Sequence, residues 1–97
     1  MNYEVKVTQS GRGGVIYYSE NGKKLPFDWE FAINGALLFA PSPAHWNYFC
    51  DKNNLPEAQN RRDKILTRIC EEVICQQTSG AEYEIGDDYI SITFRAG

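Results

Sequence analysis

One histidine, His45, and three cysteines, Cys50, Cys70 and Cys75, are the only residues of these two types in the 97-residue chain. These are the side chains that most often hold metals or react near neutral pH. The cysteines show no C-x₂₋₄-C spacing, so no metal is expected, and no cofactor motif is visible. On a helix, five residues turn through about 500°. His45 and Cys50 therefore diverge, as do Cys70 and Cys75, and neither pair is a candidate for catalysis or ligation. An odd thiol count does not suit a disulfide framework. The start, Met1-Asn2-Tyr3-Glu4-Val5, has no basic segment followed by an apolar one. Together these features give the expectation of reduced thiols and a cytoplasmic location.

Long apolar runs are also missing. None nears the roughly 20 residues of a membrane span, so no membrane partner is expected. Positive charge is not in excess. Ten Lys and Arg stand against 13 Asp and Glu, for a net charge of −3 and a pI near 5.0. That balance disfavours general attraction to nucleic acid. Gly11-Arg12-Gly13-Gly14 lacks the G-x-x-x-x-G-K-[ST] pattern and precedes a strand, so it reads as a hairpin turn and not a phosphate loop. The chain contains no repeat, low-complexity tract or linker, and residues 1–97 are expected to form a single domain.

What the chain does have is alternation. In residues 25–33, Leu25, Phe27, Trp29, Phe31 and Ile33 are large and apolar, and Asp28 and Glu30 between them are charged. A period of two marks a strand with one buried face, and Trp29 stands at its centre as the expected core anchor. Asn21-Gly22 and Asn34-Gly35 flank it, and Asn-Gly suits the positive φ angles of a type I′ hairpin. Pro26 places that point of the strand at its start or at an open edge. Residues 2–8, 15–18 and 36–40 supply three more strands. Residues 81–85 and 89–94 make a closing hairpin, with Tyr83, Ile85, Ile90, Ile92 and Phe94 inward.

Two helical segments separate these groups of strands. Ser42-Pro43 is a helix start, with Ser42 as cap, and Trp46, Phe49 and Cys50 share a face. Asn54-Leu55-Pro56-Glu57 reads as a capping box, so one long helix is expected from there to about Thr78, with Gly80 beyond it. Ala58, Arg62, Ile65, Leu66, Ile69, Val73 and Gln76 lie near one face. The expected fold is α+β: an antiparallel sheet of about six short strands, in the order β-β-β-β-α-α-β-β, with the long helix across one face.

Three surfaces are candidates for function. Residues 71–97 carry six acidic groups against Arg95, and Glu82, Glu84, Asp87 and Asp88 with Tyr89 form a candidate protein-binding patch. His45, Trp46 and Tyr48 mark a candidate small-molecule or enzyme pocket between the short helix and the sheet. Arg61, Arg62, Lys64 and Arg68 form a basic segment for nucleic acid. No poised nucleophile or base accompanies any of them, and no catalytic residue is assigned. The reading carried forward is a small, acidic, non-catalytic protein-binding module, of inhibitor or immunity type, facing a basic protein or a second copy of itself in a homodimer. A ligand-binding protein or enzyme, and a nucleic-acid binder, are the alternatives.

Overall fold

The computed structural model describes residues 2–77 and 81–93, leaving aside the side chains of residues 74–77. Strands β1 (Tyr3–Ser10), β2 (Gly13–Glu20), β3 (Lys23–Ala32) and β4 (Gly35–Phe39) come first. Helix α1 (Pro43–Lys52), a 3₁₀ turn (Pro56–Ala58) and helix α2 (Arg62–Gln77) follow, then strands β5 (Glu82–Ile85) and β6 (Tyr89–Thr93). All six strands join one antiparallel sheet in the order β1-β2-β3-β4-β6-β5. The last hairpin therefore extends the N-terminal meander: β6 pairs with β4, Leu38 facing Ile90. The radius of gyration is 12.9 Å, as expected for a folded domain of this length. Among the described residues no helix is long and apolar enough to cross a membrane.

Alternation sorts the side chains onto two faces. The inner face carries rows such as Val5–Tyr18–Leu25 and Val7–Ile16–Phe27. Against it pack Trp46 and Cys50 of α1 and Ile65, Leu66, Ile69, Cys70 and Val73 of α2. Trp46, not Trp29, is the central aromatic. It is 1% exposed, stacks on Phe27 and donates from Nε1 to the Ala58 carbonyl at 2.9 Å. Trp29 is half-buried at the margin of the core, and Phe31, two residues on along the same face of β3, is 39% exposed.

The turns follow local chemistry. Asn21 and Gly22 both take positive φ, 52° and 79°, as a type I′ hairpin requires. The second Asn-Gly pair behaves differently. Asn34 alone has positive φ, at 59°, while Gly35 is already paired in β4 opposite Ala32. Pro26 faces Tyr17 of β2 and lies beyond the part of β3 that pairs with β4, so its missing N–H interrupts neither ladder.

The single long helix expected from Asn54 is replaced by two pieces. Asn54 closes α1, whose end the run Lys52-Asn53-Asn54 marks in the sequence, and does not also open a second helix. At φ 61° it occupies the left-handed position, its N–H bonds Asp51 O, and Leu55 N–H bonds Cys50 O. That is the double bond of a Schellman motif. The chain breaks again at Asn60, φ 65°. Asn47 holds this break: its Oδ1 accepts from Asn60 N at 2.9 Å, and its Nδ2 donates to Asn60 Oδ1 at 3.1 Å. Ala58 O, the acceptor a continuous helix would use there, serves Trp46 and Arg61 N instead. Ser42 makes no side-chain cap either; its Oγ meets His45 Nδ1 at 2.9 Å. The expectations for the side chains of Cys75 and Gln76, and for Thr78, Gly80 and Phe94, lie outside what the structure describes.

Candidate functional site

The helices cover one face of the sheet and leave the other to solvent. On that outer face the register sets Glu30 of β3 beside Leu37 of β4, Leu37 beside Ser91 of β6, and Ser91 beside Glu84 of β5. The neighbouring row pairs Phe39 with Tyr89, and Asp28 lies one step past the Trp29–Leu38 pair on the same side. Phe39 is 42% and Tyr89 48% exposed, large values for aromatic side chains with no layer over them. Glu82 faces Thr93 on the same side, and the exposed Asp87 and Asp88 form the β5–β6 turn. The patch thus has an apolar centre of Leu37, Phe39 and Tyr89 and an acidic border drawn from three segments of the chain.

Sequence reasoning placed Glu82, Glu84, Asp87, Asp88 and Tyr89 in this patch but missed Phe39, Asp28 and Glu30. In the register Asp28 faces Val15, and Glu30 stands between Gly13 and Leu37. Lys23 and Lys24 pair with Glu20 and Ser19 two turns of the pleat away. Lys24 lies over the Tyr17 ring, 5.4 Å from its centroid. The position of β6 beside β4, which brings Tyr89 to Phe39, has no local signal in the sequence.

The basic segment turns mostly inward. Glu20, at the end of β2, has a side chain with no exposure. It accepts from Arg61 Nη2 at 2.6 Å and Nη1 at 3.2 Å, and from the Tyr18 hydroxyl. Arg68 Nη1 donates to the same hydroxyl at 2.8 Å, and its guanidinium lies over the Tyr3 ring at 4.6 Å. Burial pushes the Glu20 carboxyl upward. The bonds from Arg61 and Tyr18 outweigh it, and the net position is below the usual Glu value. Burial, then the Glu20 bond, pushes Tyr18 up to about 12, so the phenol remains a donor.

Arg62 is 8% exposed and holds three carbonyls: Nε donates to Pro41 O at 2.8 Å, and Nη2 to Gly86 O and Asp87 O at 2.9 Å each. It fixes the β5–β6 turn, and with it the place of Asp87 and Asp88 at the patch border. Lys64 alone of the four basic residues is exposed.

Helix α1 separates the three residues of the expected pocket. Trp46 is in the core, and His45 and Tyr48, the latter 69% exposed, point to solvent. The Ser42–His45 pair sits on an exposed helix start, and no carboxylate contact with the ring is present among the described residues. Burial pushes the Cys50 thiol up to about 11 and Cys70 to about 12, which keeps both protonated. No group of three or more His, Cys, Asp or Glu among the described residues is arranged to hold a metal ion. Compared with protein-family models, curated proteins and solved structures, the chain matches none.

Proposed function

We propose that this protein is a non-catalytic binding module that docks a basic protein on the outer face of its sheet, in the manner of an inhibitor or immunity protein. One observation carries the reading: the row Glu30–Leu37–Ser91–Glu84, with exposed Phe39 and Tyr89 beside it, places apolar contact area inside an acidic border. Aromatic centres with polar rims are the anatomy of protein interfaces. A field of one sign speeds encounter with a partner of the other and makes that rate fall with salt. The alternatives draw less support. Arg61, Arg62 and Arg68 are committed to internal acceptors, and His45, Trp46 and Tyr48 do not converge.

The test is affinity capture from native lysate at low salt with the wild-type chain and with the double charge reversal Glu30→Lys, Glu84→Lys. A stoichiometric basic protein retained by the wild type and lost by the variant is the expected result, with several-fold slower association and an unchanged thermal midpoint. Retention of the same partner by the variant would remove the outer face from the interface. Capture of nucleic acid in place of protein would overturn the reading.

A further inference from the structure

The inner face holds a second feature, independent of the outer one. A cavity of about 410 Å³ opens between the inner face of the sheet and Val73 of α2. Ile16, Trp29, Ala36, Leu38 and Val73 line it, with Phe31 at its margin. Gln9 is the polar side chain among the described residues that line it, and none of those residues is charged. Its volume falls within the roughly 300–1,000 Å³ of small-molecule sites.

One wall of this cavity is built, not left over. At Thr8 the hydroxyl joins the ladder: Val15 N donates to Thr8 Oγ1 at 3.2 Å, and Oγ1 donates to Val15 O at 3.1 Å. Thr8's own carbonyl accepts from Trp29 Nε1 at 2.9 Å, two strands away. The indole therefore spans β2 at Gly14, the residue paired with Trp29. A Cβ at Gly14 would run into the Thr8 carbonyl oxygen, so only glycine permits this arrangement. The result is a half-buried tryptophan with its ring orientation fixed. Phe31 stands against it at 88°, centroids 4.9 Å apart. Two rings at right angles make a corner in which a flat molecule stacks on one and meets the other edge-on. Fixing an aromatic wall before the ligand arrives removes part of the ordering cost of binding.

We propose that this cavity binds a small, uncharged aromatic molecule of one or two fused rings, seated in the Trp29–Phe31 corner above Ala36. Among the described residues the walls carry no charge, so an ionised group there would lose its hydration without a partner among them, which favours an uncharged ligand. The volume sets its size, and the ring corner its flatness.

The probes are 1-naphthol and its anionic counterpart 1-naphthalenesulfonate, titrated into the full chain and followed by amide chemical shifts and calorimetry. The expected result is saturable 1:1 binding of 1-naphthol, with shifts centred on Val7, Ile16 and Ala36, and binding of the sulfonate at least tenfold weaker. Ala36→Leu fills the floor of the cavity and should weaken 1-naphthol at least tenfold with the fold retained. If Ala36→Leu does not fold, Val7→Phe closes the cavity from β1 and carries the same expectation. Shifts scattered over the surface, equal binding of the two probes, or undiminished binding by a folded cavity-filling variant would each overturn the proposal.

Discussion

Glu20 on β2 and Arg61 just before α2 meet at 2.6 Å, with the carboxylate wholly buried and the guanidinium reaching it from the edge of the helical layer. The contact joins residues 41 positions apart and fastens the helices to the N-terminal hairpin. Tyr18 and Arg68 complete the set, so the buried carboxylate has partners on more than one side.

Breaking that set should be costly. Glu20→Gln leaves Arg61 and Arg68 facing an uncharged amide, and removal of one partner from a buried pair costs about 3 kcal/mol or more. The pH dependence has a definite sign. The folded-state pKa of Glu20 lies below its ordinary 4.5. Its stabilisation is therefore complete above the unfolded value and is lost as pH falls below it through the folded value. Urea midpoints measured from pH 7 to pH 2 should drop for the wild type below about pH 4. They should drop less steeply for Glu20→Gln.

The two tryptophans should separate in stability. Trp46→Ala removes a ring that is 1% exposed and stacked on Phe27, and should cost about 3–5 kcal/mol. Trp29→Phe keeps an aromatic wall and loses one hydrogen bond to Thr8 O, for about 1 kcal/mol. Urea midpoints of the two variants decide this, and the reverse ranking would show that Trp29 is the anchor.

Arg62→Lys should loosen the closing hairpin more than the rest of the sheet. A lysine ammonium cannot span the fork that reaches Pro41, Gly86 and Asp87 carbonyls together. Hydrogen exchange should quicken at Tyr89 and Ile90 while amides in the β1–β2 ladder keep their protection. Uniform loss across the sheet would mean that Arg62 supports the fold as a whole.

Cys50 and Cys70 are buried and free, with pKa values pushed up to about 11 and 12. A thiol-specific reagent at pH 8 should modify neither in the native protein on a timescale of minutes, because the thiolate is the reactive form. In denaturant all three cysteines of the chain should react. Rapid native modification of Cys50 would show that α1 opens readily.

The strands were legible because their signals are local. Period-two alternation survives any arrangement of neighbours, and Asn21-Gly22 sets its own turn. What failed was decided at a distance. Asn54 has the composition of a helix cap, yet it closes α1, because Leu55 can then bury and Cys50 and Asp51 find donors for their carbonyls. Glu20 and Arg61 each look like surface charges in their own segments, and only the docking of α2 on β2 makes them a buried pair. The acidic patch was half visible for the same reason: Glu82 and Glu84 are near Asp87 in sequence, while Phe39 and Asp28 reach them only through the β4–β6 pairing.

That pairing also sets the order in which the molecule can assemble. The β1–β2, β2–β3 and β3–β4 ladders close across short turns, whereas β4 waits for β6 across both helices. Closing so long a loop is entropically slow and is rewarded only late. Substitutions in the Asn21-Gly22 hairpin should therefore change the refolding rate, and those at Ile90 or Ile92 chiefly the unfolding rate. A chain whose closing hairpin is undocked has an unpaired β4 edge, and such an edge invites pairing with a second chain at high concentration.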